Sequence, residues 1–319
     1  MDLAVSATGT LVYASGGSAA SERAFWVNRD GSATLVDSSW DPQGTLNSAA
    51  LSPNGKLLAV GLVRGASQDV WVKQLPTGPF SRITFGDSVH DRASWSADGR
   101  SVLYLAGSGS GGLPTMTRAD GTGAPQVLLR SSYNFGQALQ SRDGRWLVLR
   151  RVITESGSGD IFGLKVGDST LVPLLTTPAR EVSPALSPDG RWLAYSSSES
   201  GTPEIYVRPF PDVASARWQV STSGGSEAVW AHSGRELFYL NGHREMVSSE
   251  IHPGADFAVG QQRILFPAVS YTGGGTYPIY DVTPDDRRFV MVRGVTPAGE
   301  SELILADNWF EELKARARK

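Results

Sequence analysis

Ser187-Pro188-Asp189-Gly190-Arg191-Trp192-Leu193-Ala194-Tyr195 is the stretch on which the fold turns. One apolar run, Val182 to Leu186, leads into it, and another, Trp192 to Tyr195, leads out. Pro188 presets φ at a central turn position, and Asp189 and Gly190 tolerate the conformations of a tight reversal, so the segment predicts a hairpin. Polar residues 198–203 then give way to Glu204-Ile205-Tyr206-Val207, and a further turn to Arg217-Trp218-Gln219-Val220-Ser221. Four short strands joined in this way predict one four-stranded antiparallel unit.

The same turn recurs along the whole chain. It reads Ser6-Ala7-Thr8-Gly9-Thr10, Ser52-Pro53-Asn54-Gly55-Lys56, Ser96-Ala97-Asp98-Gly99-Arg100, Ser141-Arg142-Asp143-Gly144-Arg145, Ala231-His232-Ser233-Gly234-Arg235 and Thr283-Pro284-Asp285-Asp286-Arg287. From Gly9 to Asp286 the steps are 46, 44, 45, 46, 44 and 52 residues. A fixed period of this length marks propeller blades. The expected fold is therefore all-β, a seven-bladed β-propeller of four-stranded antiparallel blades, with six blades and a terminal excursion as the alternative.

A third strand also recurs, as Phe25-Trp26-Val27, Val70-Trp71-Val72, Ile161-Phe162 and Leu303-Ile304-Leu305, whose aromatic and β-branched residues suit packing between blades. After the last repeat, Asn308-Trp309-Phe310-Glu311-Glu312-Leu313-Lys314 patterns as a helix. The expected organisation is one propeller domain over residues 1–307 and a short basic amphipathic helix over 308–319. Only Met1 and Asp2 precede the first repeat, so blades one and seven are expected to pack side by side, with the helix covering the exposed edge.

Composition narrows the chemistry. The 29 basic and 32 acidic residues give a net charge of −3, too balanced for a nucleic-acid partner. Without cysteine there is no disulfide, thiolate site or cysteine nucleophile. No apolar stretch reaches the ~20 residues of a membrane span, and the N-terminus lacks the layout of a signal peptide. Four histidines, His90, His232, His243 and His252, are scattered, which argues against a histidine-rich metal centre. Gly107-Ser108-Gly109-Ser110-Gly111 superficially resembles a nucleophile elbow, but no strand-to-helix turn accompanies it. No enzyme activity is expected.

The repeats, above all residues 181–239 with Glu204-Ile205-Tyr206-Val207-Arg208-Pro209-Phe210-Pro211 and Gly234-Arg235-Glu236-Leu237-Phe238-Tyr239, resemble the TolB-like, WD-repeat-like β-propellers of bacteria. The ending Asn308 to Lys314 is similar to the C-termini of propellers fused behind bacterial Ser/Thr kinases, although this chain carries no kinase motifs. The resemblance implies a periplasmic or extracytoplasmic protein-binding scaffold, with a cytoplasmic location as the alternative. Two roles follow: an extrinsic subunit of a larger, membrane-bound assembly, touching partners through loops such as Tyr271 to Tyr280, or a sensor holding a small ligand or peptide in its central channel. A glycan or peptide hydrolase or lyase is a third, weaker alternative.

Residues just before each innermost strand are expected to line the channel mouth: Asn47, Asp91 with Arg92, Asn134 with Gln137, Glu181, Glu227, and Tyr280 with Asp281. Carboxylates drawn together around an axis need compensation, and either a structural calcium ion or a basic peptide satisfies Glu181 and Glu227. No other cofactor is expected. A second candidate surface for a partner or membrane is the helix, with Trp309, Phe310 and Leu313 on one stripe and Arg316 and Arg318 following.

Overall fold

The computed structural model describes residues 3–6, 10–15, 21–108, 111–153, 159–254, 257–295, 302–306, 309 and 314. Its repeated turns share one hydrogen-bond pattern. The hydroxyl of Ser141 donates to Asp143 Oδ1 at 2.6 Å and accepts the Trp146 N–H at 2.9 Å, while Asp143 Oδ1 accepts the Arg145 N–H at 3.0 Å. Ser52, Ser96, Ser187 and Thr283 repeat these contacts with Asn54, Asp98, Asp189 and Asp285. Gly144, at φ 73°, takes the left-handed position that glycine occupies without steric cost.

Two strands open the chain, β1 (Leu3–Val5) and β2 (Leu11–Ser15), followed by β3 (Ser21–Asn28) and β4 (Ala33–Leu35). Five complete antiparallel blades come next. They are β5 to β8 (Thr45–Leu51, Leu57–Arg64, Ser67–Gln74, Phe80–Arg82) and β9 to β12 (Val89–Trp95, Ser101–Ser108, Gly111–Arg118, Gln126–Val127). Then follow β13 to β16 (Phe135–Gln140, Trp146–Val152, Gly159–Lys165, Val172–Leu175) and β17 to β20 (Glu181–Leu186, Trp192–Ser197, Glu204–Pro209, Trp218–Gln219). The fifth is β21 to β24 (Ser226–Trp230, Glu236–Leu240, Glu245–Pro253, Phe257–Pro267), and β25 (Tyr280–Val282), β26 (Arg288–Val295) and β27 (Glu302–Ala306) end the chain. A single bridge, Gly112 to Phe135, joins the second and third blades into one eight-stranded sheet.

The sixth blade is shared between the two ends of the ring, in the order β25-β26-β3-β4. The innermost strands β5, β9, β13, β17, β21 and β25 touch in cyclic order, which closes the ring. Among the described residues there are thus six four-stranded blades, where seven were expected. The remaining strands of the first and last repeats, β1, β2 and β27, form a separate three-stranded sheet. The expected side-by-side closure is replaced by a common sheet, which pairs the backbone groups of both ends where abutting blades would leave two unpaired edges.

By compactness the chain divides into two units, residues 22–293 and the terminal segments 1–21 with 294–319. Of the expected C-terminal helix only Trp309 and Lys314 are described, and no helix is delimited there.

Each blade's second strand is apolar along its length because its sheet is covered on both faces by neighbouring blades. β18 is buried at every position, and its Trp192 and Ala194 pack with Ile205, Val207, Trp230, Leu237 and Tyr239 between two blades. The innermost strands differ from this pattern. Each of the five complete blades carries a bulge in strand register at one level, around Asn47, Arg92, Gly136, Ser183 and Glu227. Bulges re-aim side chains and are frequent beside functional sites.

Candidate functional site: a blind axial cavity

The innermost strands set the channel. Ala49, Ala93, Ala138 and Ala228 are buried, and Ala50, Ser94, Leu139, Ala185, Val229 and Asp281 join them in lining it. Small residues in the first set let six strands converge. The channel they enclose holds a cavity of about 300 Å³ with mainly apolar walls. Trp95 and Trp230 strap its sides, each indole N–H donating to a carbonyl of the preceding blade, Ala50 at 2.8 Å and Ala185 at 3.1 Å.

The two ends of the cavity are unlike. At the turn end it is rimmed by Pro53, Ala97, Arg142, Pro188 and His232, of which Pro53 and Arg142 are exposed. At the bulge end the segment 272–279, which enters β25, crosses the axis. Its Thr276 carbonyl accepts the Ser183 N–H at 3.1 Å, its Gly275 N–H donates to Glu227 Oε1 at 2.9 Å, and its Tyr277 ring lies 4.9 Å from the Arg92 guanidinium. Tyr280 closes the seam by donating its hydroxyl to the Glu227 carbonyl at 2.6 Å. These contacts reach three innermost strands, so the segment is a floor.

The residues expected at the channel mouth fall at several places around the axis, and the floor segment crosses the end where the innermost strands begin. Arg92, Gln137 and Asp281 line the cavity, Arg92 and Gln137 at its floor. Glu227 is buried beneath the floor segment, and burial raises its carboxyl above the usual range against the opposing pull of the Gly275 N–H. Asp91 is half-buried beside Arg92, Nε to Oδ2 3.6 Å, and burial raises it as well. Asp281 accepts the Leu51 and Val282 N–H groups at 2.8 Å each, and burial still raises it. Asn134 is exposed, and Asn47 packs under Gly61, where a Cβ would lie 2.1 Å from Asn47 Oδ1.

Glu181 and Glu227 take different hydrogen-bond partners. Glu181 accepts a hydrogen bond from Thr177 and lies near Asp160, and burial raises its carboxyl to about 7. Among the described residues no group of three or more His, Asp or Glu is gathered for a metal. The aromatic loop expected to touch partners is turned inward, since Tyr271 and Tyr280 are buried and Tyr277 stacks on Arg92. Phe310, Leu313, Arg316 and Arg318 lie outside the described residues, and Trp309 is half-buried.

Sequence reasoning missed Arg150. On β14, directly behind the floor, its Nη2 donates to the Gly136 carbonyl at 3.0 Å, and it occupies the space a side chain at Gly136 would fill. Burial, together with the charges of Arg92 and Arg180, lowers its pKa to about 10. The available signal was an arginine within the apolar run Trp146-Leu147-Val148-Leu149-Arg150, opposite an inner-strand glycine. The bulges gave no such signal, because Arg92, Ser183 and Glu227 adopt φ of 57°, 54° and 58° without being glycine.

No protein-family profile and no curated protein matches the sequence. Solved structures of this shape do. A putative TolB from Agrobacterium tumefaciens superposes with a TM-score of 0.63 at 16% identity, over 87% of this chain and 99% of that one. A chain of a nidogen/laminin complex follows at 0.59 and 9%, over 85% and 98%. An oligogalacturonate lyase in complex with manganese gives 0.55 and 12%, over 93% and 96%. These likenesses show the β-propeller fold, which this chain shares with TolB structures.

Proposed function

We propose that this protein is a non-enzymatic binding module that receives a small ligand or the end of a peptide in its axial cavity. The observation that carries this reading is the cavity's construction: about 300 Å³, apolar walls, a few convergent polar groups and one closed end. A blind, preformed pocket suits capture of a terminus or a compact molecule. A broad contact as an extrinsic subunit loses its expected loop, because Tyr271 and Tyr280 are buried. The likeness to a chain of a nidogen/laminin complex supports a protein as the source of the ligand. No helix among the described residues is long and apolar enough to cross a membrane. From the resemblance to TolB-like propellers we propose a location outside the cytoplasm.

The test compares the whole protein with a Leu139→Trp variant in which the cavity is filled. A library of metabolites and short peptides is screened by thermal shift against both. Compounds that stabilise the native protein and leave the filled variant unmoved are the expected result. Hits that stabilise both equally place binding elsewhere and contradict the reading.

A further inference from the structure

The bulges set a ring of polar groups around the bulge end of the axis, one from each successive blade: Ser48, Arg92, Gln137, Ser183 and Glu227. They are not equivalent. Ser48 is spent within the fold, its hydroxyl accepting the Gly61 N–H at 2.8 Å and the Ala93 N–H at 3.2 Å. The Ser183 backbone N–H and the Glu227 carboxylate, on adjacent blades, hold the floor segment through Thr276 and Gly275. Arg92 and Gln137, the other adjacent pair, face the cavity. Arg92 also meets the floor segment, through Tyr277, and with Gln137 it lines the cavity.

The chemistry of that pair is specific. Arg92 is positioned by Asp91 and by the Tyr277 ring, and its guanidinium has five donors in a fork suited to a carboxylate. Behind it Arg150 adds a second buried guanidinium, so two arginines stand with the acids Asp91 and Glu227 at this end of the axis. Gln137 is buried, with its Nε2 on the Pro184 carbonyl at 3.3 Å and its Oε1 without a partner. An orphaned buried acceptor calls for a donor. Around both, Trp95, Trp230 and Leu139 offer an apolar wall.

We infer that the cavity floor recognises a carboxylate with an N–H or O–H donor on the adjacent carbon, attached to an apolar side chain: the carboxylate against Arg92, the donor against Gln137 and the side chain against Trp95 and Trp230. An N-acylated apolar amino acid and the C-terminal residue of a peptide share this chemistry. The inference rests on the proposed binding role of the cavity and specifies its ligand.

Calorimetry on the full chain tests it with four probes: N-acetylphenylalanine, its C-terminal amide, 3-phenylpropionate, and the tripeptide Ala-Ala-Phe with a free C-terminus. N-acetylphenylalanine is expected to bind at least about tenfold tighter than its amide, the scale of one charge-assisted hydrogen bond. It should also bind several-fold tighter than 3-phenylpropionate, which lacks the donor. Arg92→Gln should abolish the first preference without weakening the amide, and Gln137→Leu should abolish the second. Tighter binding of Ala-Ala-Phe than of N-acetylphenylalanine marks a peptide as the source, and weaker binding marks a free small molecule. Equal affinity for acid and amide, with binding lost in Leu139→Trp, overturns the ligand class and leaves the cavity's binding role standing. Binding that Leu139→Trp does not affect, or no binding by any probe, overturns both.

Discussion

The two ends of the innermost strands are built on opposite principles. At the turn end Ser52, Ser96, Ser141 and Ser187 repeat one hydrogen-bonded reversal almost without variation, and a left-handed glycine sits in each. At the bulge end the backbone geometry repeats, but the side chains it presents are Ser48, Arg92, Gln137, Ser183 and Glu227. Repetition of residues secures the architecture, whereas repetition of backbone with variable residues provides a set of positions that the fold does not dictate. Chemistry accordingly collects at the bulge end.

Substitutions that remove what both ends depend on have the largest expected effect. Trp230 supports the cavity wall and ties two blades together through the Ala185 carbonyl, so Trp230→Ala should cost about 3–5 kcal/mol in urea unfolding. Glu227→Leu acts at the bulge end alone. Losing the acceptor for the Gly275 N–H should cost about 2 kcal/mol and raise hydrogen exchange across residues 272–279, with the turns unchanged. If exchange rises equally at the turn glycines, the two ends are not independent.

The turn end has one repaired exception, which sharpens the comparison. In the turn beginning at Ala231 the first serine and the acid are both missing, and Asp286 of the neighbouring turn anchors it from outside by accepting the His232 and Ser233 N–H groups, at 2.6 and 3.0 Å. Asp286 stands where the other turns have glycine, at φ 58°. Asp286→Ala should therefore destabilise by about 1–2 kcal/mol, since alanine keeps the strain and loses both bonds. Asp286→Gly should cost less. Adding Ser233→Asp to Asp286→Gly should recover most of the loss in a thermal melt.

A smaller effect depends on pH. The Glu181 carboxyl is raised to about 7 in the folded protein by burial, with Asp160 adding to it, above the usual glutamate value. A raised carboxyl favours the protonated folded form, so its stabilisation is complete below about pH 4 and is lost as pH rises through 7. Glu181→Gln should melt like the native protein near pH 4 and above it at pH 8, by on the order of 1 kcal/mol. A variant equally displaced at both pH values would show that Glu181 acts by shape and not by charge.

Much of the fold was legible because the turn chemistry is local: Ser187, Asp189 and Gly190 act within five residues. The number of blades was not. Seven turns are present, but the first belongs to β1 and β2, and the choice of β3 to pair with β26 rests on contacts between the two ends of the chain. That Arg92, Gln137 and Asp281 lie near the axis is a matter of strand order and was readable, whereas the closed end was not, since Gly275 to Tyr277 reach Glu227, Ser183 and Arg92 across the ring. Arg150 was hidden by lying on a second strand, where an apolar run reads as core.

The absence of cysteine allows the central claim to be tested directly. A single Leu139→Cys variant places a thiol on the cavity wall, and Gly275→Cys places one on the exposed floor segment. The labelling rate of each with a small methanethiosulfonate is measured with and without N-acetylphenylalanine. The account predicts that Leu139→Cys is labelled and then protected by the probe in a saturable manner, while labelling of Gly275→Cys is unchanged. An inert Leu139→Cys in the folded protein, or protection at Gly275→Cys in its place, would contradict a ligand cavity open at the turn end.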